Sequence, residues 1–136
     1  MAVSWYYNND RIYFKMIAPT DGWVTIGFNT STSTTGAYLL MGHIINGNVA
    51  VVEHYTTSPG NYSAITKFGA MAQVADVSGQ QKGQRTTIEF SLPVMASGKY
   101  QRDLIEGLSY TMLIAYSQED NFQHHSIMRT PVEIKL

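Results

Sequence analysis

Apolar and polar positions alternate along most of this chain in short runs, and nowhere do they recur with the three-to-four spacing of a helix. The clearest run is RTTIEFSLPV, where Ile88, Phe90 and Leu92 alternate with Thr87, Glu89 and Ser91. Successive side chains of an extended backbone point to opposite faces, so this run predicts a strand with one buried and one wet face. Comparable runs rich in Val, Ile, Tyr, Phe and Thr predict strands over residues 4–8, 11–18, 23–29, 37–45, 49–56, 72–78, 85–93, 109–117 and 131–136. Gly, Asn, Asp or Pro separate them at intervals of about ten residues, the spacing of an antiparallel β-sandwich. No internal repeat or linker interrupts the pattern, and a single domain over residues 1–136 is expected.

Two turns fix how neighbouring strands meet. Asn8-Asn9-Asp10 joins the first two, and Asn46-Gly47 lies between two β-rich runs. Asn and Gly both tolerate positive φ, so the second pair predicts a two-residue type I′ hairpin. That turn sets Ile45 opposite Asn48, hence His43 opposite Ala50, Met41 opposite Val52 and Leu39 opposite His54, which places Met41, His43 and His54 on one face. Leu40, Gly42, Ile44, Val49, Val51 and Glu53 take the other. The stretches 30–36 (TSTSTTG) and 78–84 (SGQQKGQ) are polar connections, Ser58-Pro59-Gly60-Asn61 is a turn, and residues 96–108 form an irregular crossover.

Composition narrows the function classes. Apolar residues make up 44% of the chain and charged residues only 14%, which suits a globular domain with large buried faces. A formal net charge of −1 without a basic cluster excludes phosphate-rich partners such as nucleic acid. No apolar run approaches the roughly 20 residues of a membrane helix, so no membrane span is expected. Cysteine is absent, which removes disulfides, thiol catalysis and thiolate-held metals and is compatible with an oxidising compartment. The first residues lack a basic segment followed by an apolar one, as in a chain from which an export signal has been removed.

Candidate chemistry is sparse. There is no Gly-x-Ser-x-Gly elbow, Gly-rich phosphate loop or His-Glu-x-x-His pair, and carboxylates such as Asp21, Glu119 and Asp120 are scattered; no enzymatic activity is expected. Two of the four histidines, His124 and His125, stand side by side. As strand residues they face opposite ways, so that one packs or hydrogen-bonds locally and the other meets water. Met41, His43 and His54 on one face fit a core gap filled by Met, with each His bonded to a carbonyl or hydroxyl. A divalent-metal site would need His43, His54 and one of His124 or His125 to converge. Trp23, Phe28, Phe90 and Met112 suit the core. Trp5, Tyr6 and Tyr7 form either a stacking platform for a sugar ring or a cap on the sandwich.

Asp21-Gly22-Trp23-Val24-Thr25-Ile26-Gly27-Phe28-Asn29 resembles the opening signature of the DOMON family. The order that follows is also similar: Gly36-Ala37 entering a strand, a hairpin, Thr86 to Pro93, Asp103-Leu104 before Gly107, Ala115-Tyr116, then Phe122, His125 and Arg129 before a last strand. The resemblance runs from about Ile12 to Leu136. It implies an immunoglobulin-like β-sandwich, usually extracytoplasmic, that binds a ligand at one sheet. In the redox branch the ligand is a b-type haem held by a Met from the loop before the strand that begins here at Ala37 and by a His before the last strand. Carried over, the histidine falls on His125 or, one residue away, His124. The methionine falls on Thr34 or Thr35, neither of which is a thioether, so Met41 or His43 would have to supply a second ligand from further along the strand. The expectation is therefore a haem b module for electron transfer or haem sensing, serving a small ligand or a redox partner protein. Its pocket would be lined by Trp23, Phe28, His54 and Phe122. The alternative is a carbohydrate- or other small-molecule-binding module without haem.

Overall fold

The computed structural model describes residues 1–136, and alternation translates into ten strands in two antiparallel sheets. Strands β1 (Ala2–Asn8), β2 (Arg11–Ala18), β8 (Thr86–Pro93) and β7 (Ala75–Gln81) form the smaller sheet in the order β1-β2-β8-β7. The larger sheet runs β10 (Met128–Lys135), β9 (Ser109–Tyr116), β3 (Val24–Asn29), β4 (Tyr38–Ile45), β5 (Asn48–Ser58) and β6 (Asn61–Ala64). The fold is thus the expected all-β sandwich. Its core lies where the inward faces meet: Phe14 packs against Phe28 and Phe90 with ring centroids 5.5 Å apart in each case, and Ile12, Met16, Ile26, Leu40, Ile88 and Leu92 fill the space around them.

The Asn46-Gly47 hairpin forms in the expected register. Asn46 and Gly47 have φ of 51° and 77°, and the pairings Ile45 with Asn48, His43 with Ala50, Met41 with Val52 and Leu39 with His54 all occur. Three expectations shift. β7 runs to Gln81 where a polar connection was expected, because Gly79, Gln80 and Gln81 pair through their backbones with Ile88, Thr87 and Thr86, which needs no apolar side chain. Asn61–Ala64 adds a short strand after the Pro59-Gly60 turn, followed by a 3-10 turn over Ile65–Phe68. β10 starts at Met128, and Pro131 fits inside it because this edge strand pairs only with β9. β7, the edge of the smaller sheet, carries an irregularity between Ala75 and Ser78.

One buried carboxylate ties the inward face to two connections. Glu53 is 2% exposed on β5. Its Oε1 accepts from the Tyr38 hydroxyl at 2.5 Å and from Gln101 Nε2 at 2.8 Å, while Oε2 accepts from the backbone N–H groups of Gln73 at 2.5 Å and Val74 at 3.1 Å. A buried acceptor is tolerated when its lone pairs are filled, as here. Burial, reinforced by the neighbouring Glu53, pushes the Tyr38 hydroxyl far above its ordinary range, so it remains a donor. Replacing Glu53 by Leu orphans these donors and is expected to cost about 3 kcal/mol, a fall in melting temperature of roughly 10 °C for a domain of this size. Thermal unfolding followed by circular dichroism measures it, and a loss of under about 1 kcal/mol would show the network to be dispensable.

Candidate ligand cleft on the outer face of the larger sheet

β3 is buried at every position and β4 at its first five, although only one face of each meets the other sheet. On the outward side Leu39 and Met41 of β4, Leu113 and Ala115 of β9, and Trp23 and Ala37 just ahead of β3 and β4 make a second apolar cluster. Strand pairing lays these residues in rows: Arg129, Ala115, Thr25, Met41 and Val52 form one, and Pro131, Leu113, Gly27, Leu39 and His54 the next. Neighbours within a row are about 4.8 Å apart. Ala115, Thr25 and Gly27 are the small members in mid-sheet, and larger side chains flank them. Leu39 leans over Gly27 so closely that an added Cβ would come within 2.4 Å of its Cδ2. The result is a solvent-open cleft of about 170 Å³ with an apolar floor.

Two loops from opposite ends of the sheet rim the cleft. The β3–β4 loop contributes Thr34, and the β9–β10 loop contributes Gln123, His124, His125 and Ser126. Asn29 fixes the first by donating from Nδ2 to the Ser33 and Thr35 carbonyls at 2.6 and 2.9 Å. Arg102 holds Asn29 in turn, donating to its Oδ1 at 3.0 Å and to the Phe28 and Gly36 carbonyls at 3.1 Å. Buried Ser117 fixes the second loop: its hydroxyl donates to the His125 carbonyl at 2.8 Å and accepts from the Glu119 N–H at 3.2 Å. Gly22 lets the chain pass here, since a Cβ on it would lie 2.4 Å from the Ser117 carbonyl oxygen.

The sequence-expected site residues divide into three groups. His124, His125, Met41, Trp23 and Thr34 border the cleft together. His124 and His125 belong to a loop and not to a strand, so the alternation expected of them does not apply and both line the same wall. His124 Nδ1 lies 3.5 Å from the Ser117 hydroxyl, whereas the His125 ring makes no hydrogen bond within the chain and keeps both nitrogens free. Met41, 1% exposed, sits in the floor.

His43, His54 and Phe122 form a latch beside the cleft. The Phe122 ring stacks on His43 with centroids 4.2 Å apart and meets His54 edge-on at 5.5 Å. Tyr62 donates its hydroxyl to the Phe122 carbonyl, and His43 Nδ1 donates to the Asp120 carbonyl at 2.8 Å. His54 Nδ1 donates to the Val52 carbonyl at 3.0 Å. These imidazoles pin the histidine-bearing loop to the sheet and do not border the cleft. No group of three or more His, Asp or Glu is placed to hold a metal ion, so the three-histidine site does not form. Phe28 is likewise corrected: it is wholly buried between the sheets, because residues of β3 alternate and its neighbours Gly27 and Asn29 take the outer face.

Electrostatically the cleft carries a cation and no carboxylate. No Asp or Glu borders it, while Arg129 does, and that guanidinium has no ion-pair or hydrogen-bond partner in the chain. Two buried polar atoms are unsatisfied, Trp23 Nε1 and Asp120 Oδ1. An unpaired buried group costs about 1–3 kcal/mol. Burial raises the Asp120 carboxyl, an effect partly opposed by His43, and burial also raises Tyr62. His54 is lowered, chiefly by burial.

A family model for the DOMON domain matches residues 1–117, a span that ends before His124 and His125. No curated protein sequence matches the chain. Among solved structures, the fold is similar to the cytochrome b domain of pyranose dehydrogenase from Coprinopsis cinerea, with a TM-score of 0.68 and 12% identity over 93% of this chain and 68% of that one. It is also similar to the cytochrome domain of Myriococcum thermophilum cellobiose dehydrogenase, with a TM-score of 0.65 and 12% identity over 93% and 67% of the respective chains. At such identity the likeness is one of fold.

Two outcomes follow from the latch. Because His54 is lowered in the folded state, the unfolded chain takes up its proton first as pH falls. The stability associated with neutral His54 is full above about pH 6.5 and is lost as pH falls through the lower folded value. Urea midpoints at pH 7.5 and 5.5 are expected to differ less in His54→Gln than in the parent, and an undiminished difference would remove His54 from the account. Phe122→Ala is expected to cost about 2 kcal/mol and to speed amide exchange across residues 118–127 while the strands stay protected.

Proposed function

The chain belongs to the DOMON family, and on that premise we propose that it is a ligand-binding module, without catalysis of its own, that holds a b-type haem in the outer-face cleft. The supporting observation is that His124 and His125 share one cleft with Thr34, one of the two positions, Thr34 or Thr35, that the resemblance matches to the family's methionine, although the two loops spring from opposite ends of the sheet. The likeness to two cytochrome domains favours the same reading.

The donor set fits a haem held by one imidazole and does not fit one held by an imidazole and a loop thioether. His125 is the preferred ligand, because it is the histidine that the resemblance places ahead of Arg129 and the last strand, and its ring is free to turn into the cleft. His124 is the adjacent alternative. Ser117 orients the loop through the His125 carbonyl, and the Leu39, Met41, Leu113 and Ala115 floor excludes water from an apolar ring. Met41 is the thioether of that floor, and His43 is engaged with Phe122 and Asp120. Bound haem would supply a one-electron couple. With no loop thioether among the residues that would hold it, haem sensing is favoured over electron transfer. The cleft, about 170 Å³, is smaller than the roughly 300 Å³ at which pockets for drug-sized ligands begin, so it takes one ring or the edge of a larger flat molecule. That size supports the second reading, a module for a single sugar or similarly small ring. We further infer an extracytoplasmic setting and, for the haem reading, a redox partner protein, both from the family resemblance.

Titrating purified protein with ferric haem tests this reading. A shifted Soret band of high-spin character is expected. His125→Ala should weaken binding more than about tenfold, a loss of roughly 1.4 kcal/mol, and His124→Ala should leave it within about twofold. No Soret shift would overturn the haem reading, and loss only in His124→Ala would exchange the two residues' roles.

A further inference from the structure

Resting on the reading that the cleft is the ligand site, we infer that its ligand is a ring-bearing carboxylate whose anionic oxygen is taken by the Trp23 indole N–H, with Arg129 neutralising the charge. Trp23 is 3% exposed, borders the cleft and has no acceptor for Nε1. An indole nitrogen donates and never accepts, and buried donors in folded proteins are almost always paired. Two hydroxyls of the cleft are committed elsewhere. Thr25 donates to the Leu40 carbonyl at 2.8 Å, and the Tyr62 hydroxyl donates to the Phe122 carbonyl.

Charge points the same way. The cleft holds a guanidinium free of ion pairs and two imidazoles, and no carboxylate. A cleft with an unpaired guanidinium and no carboxylate complements an anion, and a planar guanidinium suits a carboxylate in particular. The apolar floor suits a ring attached to that group. Two sources share this chemistry: a free cyclic or aromatic acid, and a carboxylate arm of a porphyrin.

The chain has only two tryptophans, Trp5 and Trp23, so its indole N–H region in a proton–nitrogen correlation spectrum holds two signals, assigned by Trp23→Phe. The probes are benzoate, benzyl alcohol, diamagnetic gallium protoporphyrin IX and its dimethyl ester. Benzoate or the free-acid porphyrin is expected to move the Trp23 signal downfield, and the neutral counterparts are expected to leave it in place. Trp23→Phe and Arg129→Gln should each weaken the acid several-fold more than they weaken the neutral probe, and an equal loss for both probes overturns the carboxylate assignment; the exposed Arg129 site keeps the test open if Trp23→Phe folds poorly. A Soret change with an unmoved Trp23 signal overturns this inference and leaves the haem reading standing. Movement with benzoate but no porphyrin binding does the reverse. Equal movement with acid and neutral probes, or none with any, overturns the carboxylate assignment.

Discussion

The central strands of the larger sheet must bury two faces, and a sandwich provides a partner for one. β3 and β4 turn Val24, Ile26, Phe28 and Leu40 inward against the smaller sheet and Trp23, Leu39 and Met41 outward. An apolar sheet face left to water forfeits about 25 cal/mol per Å² of the burial that stabilises a fold, so something must cover it. Here the cover is partial. The β9–β10 loop lays Phe122 over His43 and His54, Leu39 covers Gly27, and the space over Thr25 and Ala115 stays open. The cleft is the part of the second core that the chain does not fill.

That arrangement separates rigidity from reactivity. The floor is made of paired strands, and the inward side of β5 is locked by Glu53, whose hydrogen bonds reach the segments before β7 and after β8. The imidazoles ride on a loop held by Ser117, a ring stack and a few carbonyl contacts. Chemistry placed on a loop over a fixed sheet is a general solution, since the scaffold sets distance while the loop sets donors.

What was legible in the sequence follows from how local each cause is. The Asn46-Gly47 turn determines register by itself, so the face shared by Met41, His43 and His54 was readable in advance. Alternation also marked β2 and β8. Periodicity left His124 and His125 outside the strands of residues 109–117 and 131–136 but could not show that both line one wall, because the Ser117 and Phe122 anchors that shape their loop are tertiary. Phe28 was expected in the pocket beside Trp23, yet the two are an odd number of residues apart on one strand and must face opposite sides. The hydrogen-bonding roles of Glu53, Asn29 and Arg102 were not legible because their partners lie up to 74 residues away. A hint existed for Glu53: the inward register of the hairpin already placed a carboxylate in the core.

The outermost strands bear on how these molecules behave when concentrated. β10 carries Pro131 between charged Arg129 and Glu133, β7 is interrupted between Ala75 and Ser78, and β6 is only four residues long. Each is a poor template for another chain. β1, AVSWYYN, is seven residues without a charge, proline or bulge, and it pairs on one side only. Edge-to-edge growth of the sandwich, whether into a dimer or an aggregate, therefore has one open route, along β1, on the opposite sheet from the cleft.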